Sequence, residues 1–227
     1  GYSDMAIGIG GLLGFEIREN FNNPYQACSI SEFWKRWHIS LSSWLQSYLY
    51  IPLGGNRKGT ARTYINLLTT MILGGLWHGA NWTFIIWGLL HGTALCVNKA
   101  FRKIFRHSKE YKGTAVGNII SVIITYIFVC FCWIFFRSEN LSQAIEIIKA
   151  IVLMKDGIDF PYIWLIITVL LSSAAAIFTF GKYKKFDSVY PILNLKKIPG
   201  LICFITFVAI TIIFAYTGAN PFVYFQF

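Results

Sequence analysis

The stretch Tyr64-Ile65-Asn66-Leu67-Leu68-Thr69-Thr70-Met71-Ile72-Leu73-Gly74-Gly75-Leu76, then Trp77-His78-Gly79-Ala80-Asn81, then Trp82-Thr83-Phe84-Ile85-Ile86-Trp87-Gly88-Leu89-Leu90-His91-Gly92-Thr93-Ala94-Leu95-Cys96-Val97, decides the fold. It is two apolar pieces, of 13 and 16 residues, around a polar interruption. At ~1.5 Å per residue each piece covers roughly 20–24 Å, short of the ~30 Å hydrocarbon core of a bilayer. The pieces are therefore either short tilted helices packed inside protein or one broken, re-entrant unit over 64–97. Non-helical backbone is tolerated at membrane depth only where protein surrounds it or it lines a cavity.

Composition supports the membrane setting. Of 227 residues, 56% are hydrophobic and 13% charged, with a mean hydropathy of +0.55. An average soluble domain is about 45–50% apolar and about 25% charged. Half the usual charge is too little to coat a globule of this size. Disordered tails and disulfide-stapled miniproteins are excluded, and the fold class is an all-α polytopic membrane protein. The net charge of +10 would suggest nucleic acid in a soluble chain. Here the basic residues lie between apolar runs, as in loops facing anionic lipid. No nucleic-acid partner is expected.

Outward from the central stretch, three further spans are expected at 114–136, 162–180 and 201–216. The loops at 99–112 and 181–197 are basic and belong in the cytoplasm. The connection at 137–159, with three basic and four acidic residues, belongs outside. The segment 16–63 also leans cytoplasmic, which puts the His78 turn deepest in the 64–97 unit. Residues 31–51 form an amphipathic helix, interfacial or buried, opened by a capping box in which Ser29 caps and Glu32 reaches back. The chain begins Gly1-Tyr2-Ser3-Asp4, and its first apolar run, Met5 to Phe15, is too short to span by itself. It reads as the C-terminal portion of a longer protein.

Four histidines offer chemistry. His107 sits in a basic loop and reads as solvated. His91 reads as a packed histidine donating to a carbonyl of a neighbouring helix. His78, between two apolar pieces, is an ionisable group at membrane depth and hence a site hypothesis. His38 lies at the edge of the amphipathic stripe. No HExxH, Cys/His cluster or GxSxG elbow is present, so neither a metal, a haem nor a serine nucleophile is expected. The five cysteines read as small buried apolar residues. What remains is a buried neutral imidazole taking a proton from an alcohol as that alcohol attacks an acyl thioester. Burial lowers a histidine's pKa and keeps it neutral, with a lone pair free to take a proton. His38 could orient that base or stabilise the developing oxyanion. A transporter or scaffold whose broken helix lines a substrate path is the reading from another class.

Ser31-Glu32-Phe33-Trp34-Lys35-Arg36-Trp37-His38-Ile39-Ser40-Leu41-Ser42-Ser43-Trp44-Leu45, Tyr48-Leu49-Tyr50-Ile51-Pro52-Leu53-Gly54-Gly55, Gly74-Gly75-Leu76-Trp77-His78-Gly79-Ala80-Asn81-Trp82 and Gly88-Leu89-Leu90-His91-Gly92 closely resemble the membrane-bound O-acyltransferase (MBOAT) family. The match is to its bacterial alginate O-acetyltransferase-like branch, and the D-alanyl-lipoteichoic-acid branch is a nearer relative than the eukaryotic lipid branches. The specific motifs cover about residues 1–92. The resemblance implies a helical bundle with a central funnel or tunnel, of which 1–227 is the C-terminal part of one domain. The family's near-invariant histidine matches His78, and its second position, some forty residues upstream, matches His38. Trp34, Arg36, Trp37, Trp77, Asn81 and Trp82 are the expected substrate-binding residues, Asn81 and Trp82 as donors holding a thioester or pantetheine chain. The implied donor substrate is acetyl-CoA or another acyl thioester, with no bound cofactor. The implied acceptor is an extracellular polysaccharide or cell-wall polymer, with D-alanyl transfer to teichoic acid as the alternative. An SGNH-type accessory protein, membrane lipid and a multi-pass place in the bacterial inner membrane complete the expectation. The Lys/Ile-rich, Ala-poor composition points to an AT-rich genome and away from literal alginate.

Overall fold

The computed structural model describes residues 2–105, 114–154 and 205. The expected span at 162–180, that at 201–216 apart from Ile205, and His107 lie outside the described residues. Within them the regular structure is entirely helical: α1 (Tyr2–Leu12), α2 (Ile30–Arg36), α3 (Ile39–Leu45), α4 (Gly59–Trp77), α5 (Trp82–Phe105), α6 (Ala115–Arg137) and α7 (Leu141–Val152). A short 3₁₀ turn at Pro24–Gln26 precedes α2, and one wide turn, Gln46–Tyr50, follows α3.

The amphipathic stretch 31–51 is not one helix. It breaks at Trp37–His38, where His38 adopts φ 43° and ψ 59°. A polar segment upstream causes the break by supplying partners for the backbone groups a continuous helix would have paired. Asn22 N–H donates to the Arg36 carbonyl at 2.9 Å, and Ile39 N–H to the Asn20 carbonyl at 2.9 Å. The start of α2 is as its sequence implies. Ser29 Oγ accepts from Glu32 N–H at 3.2 Å. Glu32 reaches back one residue further than in the usual capping box, accepting from Cys28 N–H at 2.9 Å.

The broken unit at 64–97 has longer arms than its apolar residues suggest. α4 has 19 residues and α5 has 24, because polar residues at both outer ends continue the helices without a breaker. Thr63 and Thr70 satisfy their hydroxyls on carbonyls of their own helix, Gly59 at 2.8 Å and Asn66 at 2.7 Å. α5 is thus long enough to cross a bilayer alone, as is α6 in the 114–136 stretch. One face of α6 is apolar and exposed, including Ile119, Ile120, Ile123, Ile124 and Ile127, which suits a lipid-facing helix.

The packing of α4 on α5 positions the turn between them. A Cβ on Gly75 would lie 2.2 Å from the Phe84 carbonyl oxygen, and one on Gly88 would lie 2.3 Å from that of Met71. Backbone meets backbone here, and only a hydrogen side chain allows it. The core next to this hairpin is aromatic. One cluster joins Ala27, Ile30, Phe33 and Val129, flanked by Trp34, Trp37 and Trp133. The other joins Trp87, Cys132, Phe135 and Ala144.

Candidate active site

His78 ends α4, its backbone N–H donating to the Gly75 carbonyl at 3.0 Å. Gly79 follows at φ 154°, and the chain re-enters a helix at Trp82. Three helices wall the half-buried His78 ring. Ring centroids lie at 4.9 Å for Trp77 of α4, 6.1 Å for Phe84 and 5.5 Å for Trp87 of α5, and 4.8 Å for Phe136 of α6. An imidazole among aromatic walls is poorly hydrated, which is the setting in which its neutral form serves as a base.

His38 is placed differently. It caps α3 from the left-handed region, where a non-glycine residue is uncommon. Its Nδ1 accepts from Leu41 N–H at 3.4 Å and lies 3.3 Å from Asn20 Nδ2 and 3.4 Å from Ser40 Oγ. Burial lowers its pKa from the ordinary histidine value, and a hydrogen bond with its own backbone partly opposes the shift. His38 and His78 lie within electrostatic reach of one another. A run of touching rings also links the two regions: Trp37 to Trp133 at 4.9 Å, Trp133 to Phe136 at 5.3 Å, and Phe136 to His78 at 4.8 Å.

The other expected site residues divide. Trp34 is in the ring cluster, 5.7 Å from Trp87, and lines a cavity of about 380 Å³. Trp77 touches His78 and is otherwise 60% exposed. Trp82 is 68% exposed at the start of α5. Trp37 is a packing residue, stacked on Phe33 with ring centroids 5.6 Å apart. Arg36 is paired within its own helix, Nη2 donating to Glu32 Oε1 at 2.7 Å. Asn81 is also engaged: its Oδ1 accepts from Thr83 N–H at 3.1 Å, and its Nδ2 donates to the Glu139 carbonyl at 2.7 Å. Asn81 thereby caps α5 and ties it to the link between α6 and α7.

His91 is packed, as its sequence setting implies, with the Trp34 indole as its partner at Nδ1 rather than a helix carbonyl, and Asn20 gains an importance that sequence reasoning did not assign. His91, fully buried, accepts through Nδ1 from Trp34 Nε1–H at 3.3 Å. It holds Trp34 in place between the cavity and Trp87. Asn20 sits beside His38 although 18 residues before it. No periodicity marks it, because its work is done in a loop. Among the described residues no group of three or more His, Cys, Asp or Glu is placed to hold a metal ion.

A family model described as the membrane-bound O-acyltransferase family matches residues 1–142. The chain is 55% identical over 144 residues to the probable alginate O-acetylase of Azotobacter vinelandii, a match covering 63% of this chain and 28% of that protein. It is 48% identical over 152 residues to the peptidoglycan O-acetyltransferase of Helicobacter pylori, covering 67% of this chain and 28% of that protein. It is 31% identical over 146 residues to the teichoic acid D-alanyltransferase of Bacillus subtilis, covering 61% and 37% respectively. The chain thus spans little more than a quarter of the length of the first two relatives. Every residue of the candidate site falls inside the matched region.

Proposed function

The chain belongs to the membrane-bound O-acyltransferase family, and from that premise we propose that the whole protein transfers acetyl from acetyl-CoA to hydroxyls of an extracellular polysaccharide or cell-wall polymer. The observation that carries this reading is the α4–α5 turn. It holds His78 among rings of three helices, with His38 in electrostatic reach.

In this reading His78 is the general base. An acceptor hydroxyl attacks the thioester carbonyl, and its proton passes to the His78 ring as the C–O bond forms. The tetrahedral intermediate collapses with cleavage of the C–S bond, and the imidazolium returns the proton to the departing thiolate. His38 assists by positioning the base or by donating to the oxyanion.

A thioester donor is supported by the cavity beside Trp34. Its lining joins the buried Leu45 and Met71 to the cations Lys35, Lys99 and Arg102, without a carboxylate. Such a site suits an apolar chain that ends in phosphate. The acceptor class is supported by the two O-acetyltransferase relatives, which are nearer in identity than the D-alanyl relative. Multi-pass insertion in a bacterial inner membrane, a funnel through the bundle, passage of the acyl group across the bilayer and an SGNH-type accessory protein belong to the same proposal.

The test is acetyl transfer from labelled acetyl-CoA by membranes carrying the full-length protein at matched abundance. His78→Ala and His78→Gln should both lose about 10²–10⁴ in rate, the usual worth of a general base. Glutamine can hydrogen-bond but takes no proton at neutral pH. Near-normal transfer by His78→Gln would remove the base assignment.

A further inference from the structure

The hydrogen bonds around His38 decide which of its two nitrogens carries the proton. The Leu41 backbone N–H is directed at Nδ1, and a backbone N–H can only donate. The Asn20 side chain adds to this, and its orientation is forced. Ser40 N–H donates to Asn20 Oδ1 at 2.9 Å, and Ser40 Oγ–H to the same oxygen at 3.0 Å. The oxygen must therefore face Ser40, which turns the Asn20 amide N–H toward His38 Nδ1 at 3.3 Å. The Asn20 carbonyl meanwhile accepts from Ile39 N–H at 2.9 Å, holding the backbone just after His38. Two contacts favour a protonated ring, its hydrogen bond with its own backbone and Ser40 Oγ, 3.4 Å from Nδ1 with lone pairs left to accept, but they stand against two donors directed at one lone pair. In a neutral imidazole, an accepting Nδ1 leaves the proton on Nε2.

We propose that Asn20 is a positioning residue that, with the Leu41 N–H, locks His38 as the Nε2–H tautomer, so that His38 meets the reacting acyl group as a hydrogen-bond donor. This rests on the reading of His38 as part of the transfer site and narrows it. A ring with its Nε2 protonated cannot also be the base, so the two histidines have separate tasks: His78 accepts a proton and His38 stabilises negative charge on the thioester oxygen. The left-handed backbone at His38 is part of the same device. It turns the side chain back over the first turn of α3, where the Leu41 N–H waits.

Two measurements on full-length protein test this. The first is ¹⁵N-histidine NMR, with His38 assigned by its loss in His38→Gln. Wild type should show His38 neutral with its proton on Nε2. Asn20→Asp keeps an acceptor for Ser40 but sets a carboxylate against Nδ1, so that nitrogen should become protonated. A wild-type proton on Nδ1, or an Asn20→Asp spectrum unchanged at His38, overturns the proposal whatever the activity. The second is transfer from acetyl-CoA. His38→Ala should lose about 10²–10³, the usual cost of one oxyanion donor. His38→Gln, whose amide N–H stands near the Nε2 position, should recover at least tenfold over alanine. Glutamine no better than alanine overturns the donor assignment. If Asn20→Asp moves the proton while transfer stays at the wild-type rate, the tautomer lock stands and the participation of His38 in transfer falls.

Discussion

The two histidine regions are built on opposite principles. His78 stands where two long helices are pressed together at glycines, and the surroundings of its ring are aromatic. His38 stands at a kink between two seven-residue helices, and its surroundings are hydrogen bonds. The first arrangement leaves an imidazole poorly solvated. The second specifies where a proton sits. A base needs a nitrogen free to accept, whereas a donor needs its other nitrogen occupied. Each environment therefore suits one of the two tasks and would serve the other badly.

The largest expected effect strikes the first region alone. Gly88→Val sets a branched side chain where a single Cβ would already be 2.3 Å from the Met71 carbonyl oxygen and 2.9 Å from Ile72 Cα. No side-chain movement relieves a clash with backbone, so α4 and α5 must separate. The cost should be at least the ~1–3 kcal/mol of an overpacked core. Full-length protein carrying Gly88→Val should lose detergent-stable folded material and all transfer. A wild-type melting temperature in that variant would mean that the close approach does not position His78.

A smaller effect isolates strain in the second region. A left-handed backbone costs an L-residue roughly 1–2 kcal/mol that glycine escapes. His38→Gly and His38→Ala lose the same ring and the same cap, so their difference reads the backbone alone. The glycine variant should be the more stable by about 1 kcal/mol, by thermal denaturation, with the two equally poor in transfer. Equal melting temperatures would mean that the kink relaxes when the ring is gone.

The smallest effect is a silence. Burial lowers the pKa of His38, so the neutral form persists below the pH at which a free histidine, with pKa ≈ 6.5, is half protonated. On acidification the His38 ¹⁵N signals should turn to those of the protonated ring at a lower pH than the signals of a free histidine do. A His38 that titrates with or above a free histidine would place the kink in open water and dissolve the contrast with His78.

Much of this was legible in the residues. The polar interruption between apolar pieces located the turn that carries His78, because five residues of mixed polarity cannot continue an apolar helix unnoticed. Ser29 and Glu32 marked the start of α2, since capping chemistry is local. The run from Ser31 to Leu45 carried the family resemblance. What periodicity missed is the break at His38: its apolar stripe runs through the kink, and the residues that cause the break are Asn20 and Asn22, far upstream. Arg36 and Asn81 carried donor chemistry in the sequence. In the fold those donors serve Glu32 and the Glu139 carbonyl, a use that depends on neighbours no spacing rule identifies.

The sequence by itself determined the helical class, the membrane-suited composition and the family, and it singled out the two histidines as candidates, because these follow from local hydrophobicity and short motifs. Only the tertiary structure decided which rings surround His78, that His91 holds Trp34, and that Asn20 faces His38. Those are contacts between residues distant in the chain. Their geometry is set by how closely glycine lets α4 approach α5 and by where a loop finds partners for its backbone, and neither is written in any one segment.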